Sequence, residues 1–341
     1  MLTRLRVPAL LLAMTVVGVG GSQAWGQDDT SSIEIDDPRT SESSGLAVAP
    51  SDPDLLYTVN DSGHEPAVYT LDSRTESVVG TTTLTGPEPG EADPEAIAVD
   101  GDGTLWVADI GDNLRDRDDI ALYALPAPGT GDSTAVPEAY PLSYPGGPAD
   151  AETLLSDPVT GAMWVVTKGL LSGSVLEVPQ PLGEANRLRP VAGVDVPGLV
   201  TDGTVLPDGS AVVLRTYDHA YVYRLPDWEP IGDFALPQQE QGESLTAPPD
   251  GSLLAGSEGT PTRIDRVHLP PSIVTSLEPE ESTAPPTSPP LTTAPSTSEP
   301  SSGASSTAGD DGPDRMLLAG GAVLGMLAAG GLALALVRRL R

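Results

Sequence analysis

Apolar residues follow three regimes along this chain, and each predicts a different kind of element. Residues 7–21 and 316–337 are continuous apolar runs, whereas residues 278–314 show no apolar periodicity. Between about Ser31 and Ile273, short β-branched and aromatic runs alternate with Gly, Pro and Asp turns. That segment lacks a 3.6-residue period, so it predicts strands rather than helices, an all-β domain. One strand–turn–strand phrase recurs in it: SGLAVAPSDPDLLYTVND at Ser44, EAIAVDGDGTLWVADI at Glu95, AETLLSDPVTGAMWVVTK around Glu152, TDGTVLPDGSAVVLRTY at Thr201 and ESLTAPPDGSLLAGSEG at Glu243. The intervals are 51, 57, 49 and 42 residues. A third strand follows each copy, as AVYTLD at Ala67, IALYALP at Ile120, SVLEVP at Ser174, YVYRLP at Tyr221 and RIDRVHLP at Arg263. Four-stranded units at this period are the blades of a β-propeller. Five copies predict five blades, with six as the alternative; a sandwich of this length has no need of the repeat. The early strand Ile33–Ile35 is expected to supply the outer strand of the last blade.

The terminal runs predict export and anchoring. Arg4 and Arg6, the apolar stretch Val7–Gly21 and the small residues Ser22 and Ala24 form a signal peptide over 1–26, cleaved after Ala24 or Gly26. Residues 316–337 are 22 positions without a charge, about 33 Å as a helix, enough to span a bilayer. Asp310, Asp311 and Asp314 precede that run and Arg338, Arg339 and Arg341 follow it. The positive-inside rule then puts the tail 338–341 in the cytoplasm and everything upstream outside. Between them, 22 of the 37 residues from Glu278 to Asp314 are Pro, Ser or Thr, a composition that cannot bury a core. The expected layout is a propeller over 31–275, a disordered linker over 276–315 and a single-pass membrane helix over 316–337, the linker reaching roughly 115 Å if extended.

Charge narrows the partners. There is no cysteine, which removes disulfides and thiolate metal sites. All 49 acidic residues lie between signal and span, against 12 of the 17 basic ones, a net charge of −37 for that part. Nucleic acid is excluded as a partner on that balance. An extracellular ligand or an envelope component is the expected partner.

The phrases ESSGLAVAPSDPDLLYTVNDSG, DPEAIAVDGDGTLWVADIGDNLRDRDDIALYALPAP, DAETLLSDPVTGAMWVVTK, LRTY and QGESL together resemble a family of secreted bacterial propellers without an assigned activity. They are more loosely similar to esterase-like phytase and lactonase-type propellers. That resemblance implies a propeller with a polar central site that often holds calcium.

Repeat-equivalent residues of a propeller become neighbours around its channel. Glu95, Glu152 and Glu243, with Asp202 one place off and Glu42 just ahead of the first copy, are expected to form a carboxylate ring. The ends of the second strands add Asn60, Asp61, Asp109, Lys168, Arg215 and Glu258 as candidate ligand-binding residues. Facing carboxylates need a cation or a raised pKa on one member, and hard oxygen donors favour calcium. Glu95, Asp109, Asp112, Asn113 and Glu152 are the candidate calcium ligands. The alternative is that each acid only satisfies the backbone of its own blade. The loop DIGDNLRDRDD, with Asp116, Asp118 and Asp119, lacks EF-hand spacing and holds Arg115 and Arg117, which favours an Asp-rich turn stabilised by its own bonds. Nucleophile elbows, P-loops and HExxH are absent from the sequence. His64 and His219, in loops after second strands, are acid/base candidates beside Asp61 and Asp218; His268, in a third strand, is expected to be structural. The leading reading is a surface-tethered propeller that binds a ligand at a polar channel mouth. Its rivals are a calcium-supported ester, lactone or glycoside hydrolase, with Glu95, Glu152 and Glu243 as the catalytic candidates, and an inert spacer.

Overall fold

The computed structural model describes residues 31–61, 63–86, 92–117 and 120–278. They form a five-bladed β-propeller with one short α-helix and one 3-10 turn at Pro38–Thr40. Blade 1 contains β2 (Ser43–Val48), β3 (Leu55–Asn60), β4 (Ala67–Asp72) and β5 (Ser77–Leu84). Blade 2 contains β6 (Pro94–Val99), β7 (Thr104–Asp109), β8 (Ile120–Pro126) and, after an excursion through β9 (Gly131–Ala135), β10 (Glu138–Ser143). Blade 3 is built from β11 (Ala151–Ser156), β12 (Met163–Thr167), β14 (Val175–Glu177) and β16 (Arg189–Pro190). Around it lie three two-residue strands, β13 (Ser172–Gly173), β15 (Asn186–Arg187) and β17 (Val196–Pro197). Blade 4 is β18 (Asp202–Val205), β19 (Ala211–Arg215), β20 (His219–Arg224) and β21 (Glu229–Ala235). Blade 5 is β22 (Gly242–Thr246), β23 (Ser252–Ser257) and β24 (Thr262–His268), completed by the N-terminal β1 (Ser32–Ile35).

Ring closure therefore occurs as the sequence predicts: Ile33 lies opposite Ile264 and Ile35 opposite Thr262 in an antiparallel pair. Thr40 Oγ1 and Thr262 Oγ1 meet at 2.8 Å beside it. The hydrophobic core is five clusters, one between each pair of neighbouring blades. A blade buries apolar residues on both faces, which is why the strands read as apolar runs and not as strict alternation. The cluster joining blades 5 and 1, which includes Ile33, Ile35, Leu56, Leu71 and Ile264, leaves no blade face unmatched. Residues 31–278 are thus a self-contained folding unit.

Two strands depart from four per blade. β9 pairs in parallel with β5 of blade 1, and β15 pairs in parallel with β10 of blade 2. Each covers an outer strand that would otherwise expose its backbone donors and acceptors. The helix α1 (Pro271–Leu277) packs Ile273 into the cluster between blades 4 and 5.

The expected signal peptide, linker, membrane span and cytoplasmic tail lie outside the described residues, as do Asp118 and Asp119. Among the described residues no helix is long and apolar enough to cross a membrane.

Candidate functional site at the channel mouth

The inner strands β2, β6, β11, β18 and β22 neighbour one another in a ring around the channel. In four of them the ladder slips by one residue, in β2 between Ser44 and Ala47 and in the other three at the second residue of the strand. Glu95 sits between Pro94, opposite Asp109, and Ala96, opposite Ala108. Glu152 sits between Ala151, opposite Thr167, and Thr153, opposite Val166. Glu243 sits between Gly242, opposite Ser257, and Ser244, opposite Gly256. Each glutamate is the extra residue of a β-bulge, and a bulge re-aims its side chain. Blade 1 has Ser44 instead, whose hydroxyl donates to the Glu95 carbonyl at 2.8 Å and to Glu95 Oε2 at 3.3 Å. Blade 4 has Asp202 in unbroken register opposite Arg215.

All four acids are buried, and their chemistry differs by partner. Burial, followed by the charges of Glu152, Asp93 and Asp61, holds the Glu95 pKa well above the usual carboxylate range. Room for that convergence comes from Gly111, where a Cβ would stand 2.5 Å from Asp93 Oδ2 and 2.6 Å from Glu95 Oε1. Burial pushes Glu152 up to about 8, opposed by the Lys168 ammonium, which lies 2.8 Å from Glu152 Oε1. Burial works against the charge on Lys168, yet Glu152 and Glu243 outweigh it and raise the lysine pKa. The ammonium also stands 5.5 Å from the centroid of the Tyr217 ring. Asp202 is raised by burial and accepts the Leu245 N–H at 2.6 Å, so it ties blade 4 to blade 5.

Several sequence candidates turn out to be spent on the scaffold. Arg215 is wholly buried and donates to Ser244 O at 2.8 Å, Gly256 O at 2.9 Å and Gln239 Oε1 at 3.1 Å. Burial lowers its pKa to about 10. It bridges blades 4 and 5. Asn60 is buried and donates to Arg39 O at 2.7 Å. Asp109 takes a 2.7 Å ion pair from Arg117. The Asp112 carboxylate accepts the amides of Asp116 and Arg117 at 2.9 and 3.0 Å, and Asn113 is exposed. That loop is the self-bonded Asp turn, and the group of acids geometrically able to hold a metal among the described residues lies elsewhere. It is Glu42, Asp61 and Glu258, whose ligand atoms all fall within 4.8 Å of one another, at the seam of blades 1 and 5. All three are half-buried and offer only oxygen, a donor set that fits a hard cation. Asp61 and Glu258 follow their second strands as the repeat predicts; Glu42 completes them from ahead of β2.

Of the histidines, His64 is exposed, His219 Nδ1 lies 3.2 Å from Asp218 Oδ1 at the surface, and His268 is exposed at the end of β24. Tyr217 lies beyond β19 and is 37% exposed beside Lys168. The opposite ends of the inner strands line a cavity of about 240 Å³ with Leu46, Ile97, Leu154, Val205 and Leu245 and no acidic residue.

The family described as "Phytase-like: Esterase-like activity of phytase" matches residues 38–169, which run from ahead of β2 through β12. Structures similar to this chain include a gluconolactonase of Xanthomonas campestris, 15% identical over 67% of this chain and 72% of that one, TM-score 0.44. Another is a luciferin-regenerating enzyme, 14% identical over 67% and 78%, TM-score 0.44. No curated protein matches the sequence. The similarity to esterase-like phytase propellers, first read from the repeated phrases, is found again over residues 38–169.

Proposed function

We propose that this protein is an exported, membrane-tethered propeller that binds an ester or lactone at its acidic channel mouth and hydrolyses it. One observation carries the reading: Glu152 stands 2.8 Å from the Lys168 ammonium, while burial and the charge of Glu152 hold the neighbouring Glu95 well above the usual carboxylate range. Two neighbouring carboxyl groups whose environments set different proton affinities are the arrangement that general acid–base catalysis needs. Glu152, titrating at about 8, is suited to take a proton from water near neutral pH. Glu95 is suited to give one to a leaving oxygen. Lys168 donates to Glu152 and also hydrogen-bonds Tyr217, which leaves one of its three donors for a developing oxyanion. Glu42, Asp61 and Glu258 would hold a calcium ion, which when bound polarises a carbonyl or phosphoryl oxygen of the ligand. The matched family supports an ester-cleaving chemistry, and the terminal apolar runs support placement on the outer face of the cell membrane.

The test uses residues 27–281 with p-nitrophenyl acetate, gluconolactone and p-nitrophenyl phosphate, with calcium or chelator. Turnover of an ester or lactone that drops at least a hundredfold in Glu152→Gln is expected. Absence of turnover on all three by the wild type rejects the hydrolase.

A further inference from the structure

Beside Lys168 the chain runs Gly169-Leu170-Leu171, and its backbone is fixed more firmly than an idle loop requires. A Cβ on Gly169 would stand 1.9 Å from Ser172 O, and one on Gly198 would stand 2.5 Å from Leu170 O. The Leu199 amide donates to Gly169 O at 2.7 Å, and β13 pairs with β17 just beyond. This tie does not bury the leucines. Leu170 is 69% and Leu171 89% exposed, while the inter-blade clusters are complete without them. Leu199 is itself half-exposed and held at φ 59°, a left-handed conformation that a bulky side chain adopts only at a cost. The Tyr217 ring, 37% exposed, lies on the other side of the lysine head, its centroid 5.5 Å from the Lys168 ammonium. Antiparallel pairing puts this loop at the end of β12 that lies level with Glu152. Strained, pinned, exposed apolar side chains next to an ionisable pair mark a contact surface.

We propose that Leu170, Leu171, Leu199 and Tyr217 form a subsite for the apolar acyl or aryl arm of the ligand, so that the substrate is an ester with such an arm. This rests on the reading that ligand enters at the Glu152 mouth. A bilayer is the poorer occupant on charge. The same face carries Glu42, Asp61, Asp116, Asp218 and Glu258, and the whole chain is at −32, which opposes an anionic lipid surface. An uncharged arm attached to a polar head satisfies both parts: the head meets Lys168 and the carboxylates, and the arm lies on the leucines.

The experiment compares residues 27–281 with Leu170→Ser/Leu171→Ser on p-nitrophenyl esters from two to eight acyl carbons, all below micelle formation. Full burial of one CH₂ is worth roughly a fourfold gain; on this open rim the wild-type kcat/KM is expected to rise about twofold per CH₂. The double variant should flatten that slope, whereas Val159→Ser, 66% exposed on the opposite face, should keep it. An unchanged slope in the double variant overturns the subsite. If no ester is hydrolysed, the hydrolase reading has failed and the subsite is read by saturation-transfer NMR with hexanamide against acetamide. Contact confined to hexanamide and lost in the double variant upholds it; no contact in the wild type overturns it. Cosedimentation with phosphatidylcholine or phosphatidylglycerol vesicles, abolished by the double variant, would assign the leucines to a bilayer and also overturn it.

Discussion

Raising the pH from 5 to 8 should weaken this propeller, the reverse of what a heavily acidic protein with salt-bridged surface carboxylates would show. In the fold burial pushes Glu152 up to about 8, against an ordinary 4.5. A carboxyl whose folded pKa lies above its unfolded one binds the extra proton in the native state between those two limits. Unfolding free energy therefore falls as pH rises through that window, is fully present below it and levels off above it. At 1.36 kcal/mol per unit the shift sets a ceiling of about 5 kcal/mol, a large part of the 5–15 kcal/mol typical of a domain. Glu95 and Asp202, which burial also raises, push in the same direction. The assay is urea unfolding of residues 27–281 in chelator, followed by tryptophan fluorescence at pH 5, 6, 7 and 8. The midpoint should fall steadily, and Glu152→Gln should remove a sizeable share of the slope. A midpoint that rises over this range, or an identical slope in Glu152→Gln, refutes the reasoning.

Gly242→Ala should cost about 3 kcal/mol or more, lowering Tm by roughly 6–12 °C, because the new Cβ would stand 1.8 Å from Arg215 Nη2; calorimetry reads it directly. Calcium should raise the Tm of residues 27–281, and Asp61→Asn should abolish most of that rise; equal shifts in both proteins would remove the cation from this seam. Ester hydrolysis should increase with pH through an apparent pKa near 8 as Glu152 ionises, and Lys168→Met should move that limb upward by taking away the neighbouring cation, as a pH–rate profile would show. Leu199→Gly should stabilise the domain by up to about 1 kcal/mol by relieving the positive φ, measured by the same urea titration.

The repeat made the blades legible because one strand–turn–strand phrase is forced on every blade by the same two-sided burial. It also made Glu95, Glu152 and Glu243 legible as neighbours, since equal positions in equal blades must meet at the axis. Their common cause, a one-residue bulge, leaves no mark on composition. The depth of Arg215 was not legible, because sequence shows its place in the repeat but not its burial, for which Gly242 of the next blade leaves room. The Glu42–Asp61–Glu258 group was half legible: its members come from different positions of two blades that adjoin only after the ring closes. Nothing in the pattern flagged Leu170 and Leu171, because two leucines after a strand read as more strand. β9 escaped for a related reason, as a chain leaving its own blade to cover β5 has no signature in alternation.

The pairing of β1 with β24 also dictates a schedule. Strand β1 must wait for a partner some 230 residues later in the chain, Ser32 meeting Asp265 and Ile35 meeting Thr262. Until then blade 5 has no outer strand, the cluster between blades 5 and 1 is open, and Leu56 and Leu71 face solvent. Closing so long a loop costs entropy that no local contact returns. The domain is therefore expected to reach its native state in one late, all-or-none event, and fragments cut short of His268 should remain prey to proteases while the full ring resists them.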